Sequence, residues 1–250
     1  SFKTSHWGGL ERLPDHQNVE TSRGFDQLLA SGAELRYRNL RASIGAADQE
    51  TGHEWWVGAA HNQVRFIRDG AAAWQGFPSF DGGLDAGHPL PGLRNSSVWL
   101  RTAAGWSPGE REEPFANAYF GGFGNNGLDH RDPKRYRDPA HFPGAGIDAI
   151  AGTNHARAML DWNLPALRFR RAGTLALYAS SARLSLFSTG LVTNLDDAPT
   201  RRRLANAGAQ VDVRMQLFTQ SPLTLSFGWA RAFERGARAT EEWMASLKVL

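Results

Sequence analysis

The stretch Ala207-Gly208-Ala209-Gln210-Val211-Asp212-Val213-Arg214-Met215-Gln216-Leu217 decides the fold. Its odd-numbered positions are apolar, and its even-numbered positions are polar or glycine. Successive side chains of a β-strand point to opposite faces, so this alternation predicts a strand with one apolar and one polar face.

The same alternation recurs along the chain. The next stretch has large apolar residues at Leu223, Leu225, Phe227, Trp229 and Phe233, and small residues at 224, 226, 228, 230 and 232. Further strands are predicted within 29–38, 54–67, 79–90, 97–106, 115–123, 156–164, 173–189 and 243–250. About ten strands of roughly 9–14 residues result, long enough to cross a membrane when tilted. Strands of soluble proteins average about 5–6 residues.

The connections between these strands differ in length in a regular way. Thr219-Gln220-Ser221 and 165–172 are short, whereas 190–205 and 124–150 are long. Short turns at one end and long loops at the other are typical of outer-membrane barrels. We therefore predict an all-β, antiparallel transmembrane β-barrel. The alternative is a soluble β-sandwich or lipocalin-like barrel, in which the alternation separates a buried core from a solvated face.

Composition excludes several other classes of protein. Apolar runs fall far short of the ~20 residues of a membrane-spanning helix. The absence of cysteine excludes a disulfide framework and cysteine-based metal sites, and a net charge of +3 is too small to predict nucleic-acid binding. Nine tryptophans suit a membrane–water interface, although core packing explains them equally well. Residues 1–6 do not resemble a signal peptide, so we expect a removed leader or an internal fragment.

Two motifs carry a family resemblance. One is Ala-Asn-Ala-Tyr-Phe-Gly-Gly-Phe-Gly-Asn-Asn at 116–126; the other is Gly-Thr-Asn at 152–154, followed by a strand ending in Trp-Asn-Leu-Pro at 162–165. They resemble surface-antigen-type outer-membrane barrels of the BamA and two-partner-secretion superfamily. The resemblance covers 95–250 well and 1–94 mainly by pattern. It is closest to barrels that follow a TolB-like β-propeller.

The resemblance implies an incomplete barrel. In the family, sixteen strands form the barrel and a loop folded into the lumen precedes the last five. Here loop 124–150 precedes strands near 151–165, 173–189, 206–218, 222–234 and 241–250. The chain, taken as one domain over 1–250, is then the C-terminal part of a larger barrel. Its partner is a missing N-terminal barrel segment or propeller module in the same or another chain.

The chain departs from the family pattern at two places. The Val/Ile-Arg-Gly-Phe/Tyr motif of the lumen loop has only a loose counterpart in Arg135-Tyr136-Arg137-Asp138-Pro139. Leu250 replaces the aromatic final residue that assists insertion, while Trp243, Leu247 and Val249 keep the rest of the terminal pattern. The resemblance also implies a weak seam between the last strand and the first strand of the complete barrel.

Loop 124–150 supplies the candidate site residues. We expect Arg135 or Arg137, on either side of Tyr136, to pair with a wall carboxylate such as Asp161 or Asp212. An arginine–carboxylate fork is directional and would hold the loop inside the barrel. The alternative is a solvated surface loop. Arg201-Arg202-Arg203 is predicted in another external loop, either solvated or in contact with lipopolysaccharide.

The sequence predicts a non-enzymatic function. His155 with Ser180 or Ser181 could form a hydrolytic pair, but no motif fixes that geometry. No catalytic, cofactor-binding or metal-ligating residue is predicted. We expect an assembly, translocation or anchoring component of the bacterial outer membrane, with outer-membrane lipid and lipopolysaccharide as partners. The alternatives are a lipid- or peptide-hydrolysing enzyme built on a barrel wall, a simple pore and a soluble binding module.

Overall fold

The chain folds almost entirely into β-strands. The computed structural model describes residues 1–8, 19, 25–44, 46, 48–68, 71–174, 176–218 and 221–249. The strands are β1 Phe2–Gly8, β2 Phe25–Arg41, β3 Thr51–Arg68, β4 Ala71–Pro89, β5 Ser97–Trp106, β6 Ala118–Phe120, β7 Leu128–Asp129, β8 Ile150–Gly152, β9 Asn154–Asn163, β10 Leu167–Gly173, β11 Leu177–Thr193, β12 Arg202–Leu217, β13 Ser221–Glu234 and β14 Thr240–Val249. Single turns of 3-10 helix lie at Pro114–Ala116 and Arg135–Arg137.

One large, mostly antiparallel sheet contains nearly all of these strands. Its order is β1-β2-β3-β4-β5-β9-β11-β12-β13-β14, so each long strand pairs with its neighbours along the chain. The predictions of an all-β fold and of long antiparallel strands are confirmed. Within the described residues no pairing joins β1 to β14, and the sheet is not closed. No helix in the described part of the chain is long and apolar enough to cross a membrane.

Several strands are longer than predicted. Strand β2 has 17 residues, β3 has 18 and β4 has 19. Strand β11 has the predicted 17 residues but runs from Leu177 to Thr193, four residues further along the chain. Strand β12 already begins at Arg202, so the connection predicted at 190–205 narrows to 194–201. The added ends of β2 and β3 contain polar and charged residues, whereas the added end of β4, 71–78, is mostly small and apolar. In each case pairing with the neighbouring strand continues the strand beyond the predicted bounds.

The turn predicted at 165–172 is wrong. Strand β10 continues along β11 beyond the end of β9, and the chain reverses only between Gly173 and Leu177. Pro165 has no N–H to donate, so it interrupts the ladder. The Leu164 N–H still donates to the Leu184 carbonyl at 3.0 Å, which keeps the chain beside β11. The tight turn predicted at Thr219-Gln220 lies outside the described residues.

The strand predicted over 115–123 is not part of the large sheet. Only Ala118–Phe120 forms a strand there, and it pairs with β8 in a separate two-stranded sheet. Gly121, Gly122 and Gly124 then adopt positive φ angles of 152°, 67° and 76°. A Cβ at Gly121 would collide with the carbonyl of Gly146, so the backbone approach there requires glycine.

Residues 107–153, which we call the inner segment, pack against one face of the large sheet. Near its start, the Phe115 ring lies 5.2 Å from Phe25 on β2 and 6.0 Å from Phe66 on β3. Further along, the Phe123 N–H donates to the Glu242 carboxylate on β14 at 3.1 Å. Because strands near both ends of the sheet contact this one segment, the sheet curves around it. We call the contacted face the inner face and the opposite one the outer face.

Candidate functional site

Strand β9 directs its polar side chains inward and its apolar side chains outward. Asp161 on the inner face has 0% of its surface exposed, whereas Leu160 on the outer face has 56% exposed. The buried inner-face residues are His155, Arg157, Met159, Asp161 and Asn163, and the exposed outer-face residues are Ala156, Ala158, Leu160 and Trp162. Soluble proteins bury apolar side chains and expose charged ones, so β9 shows the reverse polarity.

The outer face carries exposed apolar residues across the sheet. One row of directly paired apolar positions runs through five neighbouring strand pairs, from Val98 through Trp162, Leu186, Ala209 and Trp229 to Trp243. Trp162 and Trp243 in this row are exposed, and the other four are partly buried. Other large exposed side chains of this face include Leu35, Tyr37, Trp55, Val57, Phe80, Leu84, Leu100, Trp106, Leu160, Phe227 and Phe233. We call these residues together the outer belt. Apolar surface of this extent marks an interface with a membrane or a partner.

The inner segment is fixed to β9 through Tyr136 and Arg137. The fully buried Tyr136 hydroxyl donates to Asp161 Oδ1 at 3.1 Å, and Arg137 Nε lies 2.8 Å from Asp161 Oδ2. The Tyr136 ring stacks on Phe187 of β11 with a centroid distance of 4.3 Å. The structure therefore brings together Tyr136, Arg137 and Asp161, three of the residues singled out in the sequence.

The structure does not bring Arg135 and Asp212 into this contact. Arg135 lies 3.5 Å from Asp129 and 3.4 Å from Asp138, so its ion pairs stay within the inner segment. Asp212 Oδ1 instead accepts hydrogen bonds from Gln210 and Ser226, each at 2.7 Å. Arg135 and Asp212 thus contribute to the inner face without pairing with each other.

Lys134 lies at the centre of a buried polar network that the sequence did not indicate. Its ammonium group donates to Asn163 Oδ1 at 2.7 Å and to Ser185 Oγ at 2.6 Å. Ser185 also donates to Asn163 at 3.0 Å. Burial, and next the nearby charge of Arg137, lower the pKa of Lys134 to about 7. The network fixes the inner segment against β9 and β11.

Asp48 joins this network from the connection between β2 and β3. Its Oδ2 atom lies 2.8 Å from Arg183, 3.1 Å from Arg137 and 3.5 Å from Lys134. Burial opposes ionisation of Asp48, but the charges of these three cations outweigh burial and hold its pKa well below its usual range. A connection at one side of the sheet thus reaches across the inner face to β11.

Polar side chains of the sheet also hold the backbone of the inner segment. Arg157 donates to the carbonyls of Tyr136 and His141 at 3.0 and 3.2 Å. Asn206 donates to the Pro143 carbonyl at 2.8 Å, and Gln210 donates to the Pro133 carbonyl at 2.9 Å. Since the donors are on β9 and β12, the inner segment is anchored to both strands.

The last strand has the alternation expected of it. Trp243 is 78% exposed on the outer face, while Met244 and Ser246 are buried on the inner face. Leu247 and Val249 share the outer side with Trp243 and are partly buried; Leu250 lies outside the described residues. Glu242 accepts hydrogen bonds from the N–H groups of Phe123 and Gly144 at 3.1 and 2.9 Å. Strand β14 therefore also anchors the inner segment.

The possible hydrolytic pair of His155 with Ser180 or Ser181 is wrong. His155 is directly opposite Thr193 at one end of β11, whereas Ser181 lies near the other end, opposite Arg168. At about 3.3 Å per strand residue, the twelve positions from Ser181 to Thr193 span roughly 40 Å. His155 instead contacts the Phe120 ring at 4.7 Å, a packing role.

The arginine triplet at 201–203 is only partly in a loop. Arg202 and Arg203 belong to β12, and Arg202 pairs with Glu234 on β13 at 2.7 Å. Arg201 donates to the Leu195 carbonyl at 2.5 Å. Arg203 is exposed at the end of the strand, so it is the member available for contact with an external anion.

Neither a search for metal-ligand groups nor comparison with known proteins assigns a function to this site. Among the described residues, no group of three or more histidine, aspartate or glutamate side chains is placed to hold a metal ion. Comparisons of the chain with protein-family models, curated proteins and solved structures found no match.

Proposed function

We propose that this chain is part of an antiparallel transmembrane β-barrel of a bacterial outer membrane. The observation that carries the proposal is the reverse polarity of the sheet, with the outer belt exposed and charged residues such as Asp161 and Arg157 buried. Lipid solvates an apolar exterior, while the polar interior contacts water or a plug. The inner segment then occupies the lumen.

The order of the elements supports placing the chain at the C-terminal end of a larger, sixteen-stranded barrel. Five spans precede the inner segment and five follow it when β9 and β10 are counted as one span. This is the order implied by the resemblance to surface-antigen-type barrels. The unpaired edge of the open sheet provides a place where further strands, from the same or another chain, would complete the barrel.

We infer a non-enzymatic role in assembly, translocation or anchoring. The network around Asp161 and Lys134 uses its hydrogen bonds to hold the inner segment in place. Ser185, the hydroxyl nearest to Lys134, is fully buried and therefore cannot receive a substrate in this arrangement. Outer-membrane lipid contacts the outer belt, and lipopolysaccharide is the anionic partner for exposed arginines such as Arg203.

A pair of matched substitutions tests the membrane environment. Leu160→Arg places a charge in the outer belt, whereas Leu93→Arg places one in the connection between β4 and β5; the two leucines are 56% and 47% exposed. In lipid vesicles, Leu160→Arg should lower the free energy of unfolding by about 2–4 kcal/mol if it lies near the bilayer centre. Leu93→Arg should change it by less than about 0.5 kcal/mol.

Equal, small effects of the two substitutions would contradict the proposal. A soluble protein tolerates arginine at either exposed position because water solvates both. Flotation of the unsubstituted chain with the vesicles provides the independent check, since a soluble binding module would remain with the aqueous fraction.

A further inference from the structure

Three cations converge on the single carboxylate oxygen of Asp48 described above. Arg137 also has Asp161 as a partner at 2.8 Å. For Lys134 and Arg183, Asp48 is the only carboxylate within ion-pair distance among the described residues. Buried cations without an anion are costly, so Asp48 supplies a charge that this location requires.

The cations border more space than a carboxylate fills. A cavity of about 430 Å³ lies on one side of Asp48 and Lys134 and is also lined by Arg183, Arg214 and Lys248 and by the carboxylates of Asp132 and Asp212. A second cavity of about 310 Å³ borders the same two residues. It is also lined by the basic residues Arg36, Arg38, Arg101, Arg137 and Arg157 and by the acidic residues Glu54, Asp85, Asp132 and Asp138. In each lining the basic residues outnumber the acidic ones by one, four to three in the first and six to five in the second. Both lie against the inner face, away from the outer belt.

We propose that Lys134, Arg137 and Arg183 form a binding site for a small, soluble, phosphate-bearing molecule. Asp48 occupies this site as an internal substitute for the anion. Guanidinium groups bind phosphate through paired N–H donors. Lys134, whose pKa lies at about 7, adds further N–H donors, and a bound phosphate would favour its charged form. Phosphate carries more charge than one carboxylate, so it matches the three basic residues better once the Asp48 side chain turns away from them. The inference is independent of the membrane proposal because it uses only contacts on the inner face.

Removing Asp48 tests the site directly. Titration calorimetry with inorganic phosphate should show about tenfold tighter binding to Asp48→Ala than to the unsubstituted chain, a difference of about 1.4 kcal/mol. Asp26→Ala is the matched control, because it removes the same charge from a carboxylate that pairs with Arg65 at 3.0 Å outside the site. We expect its phosphate affinity to equal that of the unsubstituted chain.

A second substitution tests whether the tighter phosphate binding of Asp48→Ala depends on the basic residues of the site. Adding Arg183→Met to Asp48→Ala should abolish the tighter binding, because Arg183 loses its role as a phosphate donor. If Asp48→Ala loosens the fold, a phosphate-dependent rise in its melting temperature gives a second readout. The proposal is overturned if Asp48→Ala shows neither tighter phosphate binding nor a phosphate-dependent rise in melting temperature. It is also overturned if Asp26→Ala binds phosphate as tightly as Asp48→Ala, or if the tighter binding persists after Arg183→Met is added.

Discussion

Asp161 shows how a buried charge fixes a segment that is distant in sequence. Its carboxylate lies beside Arg137, accepts the Tyr136 hydroxyl and is 3.5 Å from Arg101 on β5. The alternation of β9 predicted its inward position, and the arginines of loop 124–150 suggested its partner. Which arginine pairs with it depends on the 3-10 turn at Arg135–Arg137, because that turn sends the two guanidinium groups in different directions.

Breaking this pair should destabilise the fold. Asp161→Asn leaves Arg137 without its closest carboxylate, and loss of one partner of a buried ion pair costs about 3–5 kcal/mol. Denaturant unfolding of Asp161→Asn, Arg137→Met and the double variant measures the coupling. We expect the double variant to lose less than the sum of the single losses. Asp26→Asn, at a partly exposed ion pair with Arg65, should lose less than about 1 kcal/mol. Strictly additive losses at Asp161 and Arg137 would contradict the coupling.

Lys134 should make stability depend on pH. Its folded-state pKa of about 7 lies below its ordinary value, so the unfolded chain binds more protons between about pH 7 and about pH 10. The contribution of Lys134 to the free energy of unfolding therefore rises with pH across this window, by at most about 1.4 kcal/mol per pH unit. It is lost below the folded-state pKa.

Unfolding at several pH values with Lys134→Met measures this contribution by difference. The variant should lack the rise, whereas Lys3→Met on exposed strand β1 should retain it. A rise of equal size in Lys134→Met would exclude Lys134 as its source.

At the scale of elements, β14 has a different neighbour from the one expected. The family resemblance predicts a seam with the first strand of the complete barrel, but here β7 of the inner segment occupies part of that edge. Leu247 is directly opposite Leu128 in a parallel pair, and its N–H donates to the Gly127 carbonyl at 2.9 Å. Any strand that pairs with β14 at these positions must displace β7.

Cysteine cross-linking tests the contact between β7 and β14. The chain has no cysteine of its own, so only the introduced thiols can form a disulfide. Leu128→Cys with Leu247→Cys should form a disulfide on mild oxidation, since neighbouring strand positions fall within disulfide distance. Leu93→Cys with Leu247→Cys is the negative control. If Leu247→Cys instead forms a disulfide only with a cysteine placed on the first strand of a completed barrel, the seam exists and β7 does not occupy the edge of β14.

In the part of the chain that the structure describes, an open sheet wraps around the inner segment. Strand β1 pairs only with β2 among the described residues, whereas β9, β11 and β12 lie between two partners. An unpaired edge leaves backbone N–H and C=O groups available for another strand. Completion by further strands would satisfy these groups and close the outer belt into a ring.

Hydrogen exchange should report this difference between edge and centre. In the reconstituted chain, we expect amides of β1 to exchange faster than those of β11 and β12, because edge strands open at lower free energy. Adding a segment that completes the barrel should slow exchange in β1 and leave β11 unchanged. Equal protection of β1 and β11 in the chain alone would indicate that β1 already has a second partner.

The sequence alone determined the regular strands, such as β9, β12 and β13, and their two faces, because a period of two survives wherever one face meets apolar surroundings and the other meets polar ones. It thereby placed Asp161 inward and Trp243 outward. It did not predict β1 or residues 71–78 of β4, where no such alternation is clear. It could not determine that 115–123 leaves the sheet or that 167–173 stays in it, since both depend on which backbone groups find partners. It also missed Asp48, Lys134 and Ser185, which no motif connects. Their convergence arises only when the curved sheet brings β11, the inner segment and the connection between β2 and β3 to one place, where buried charges must find partners.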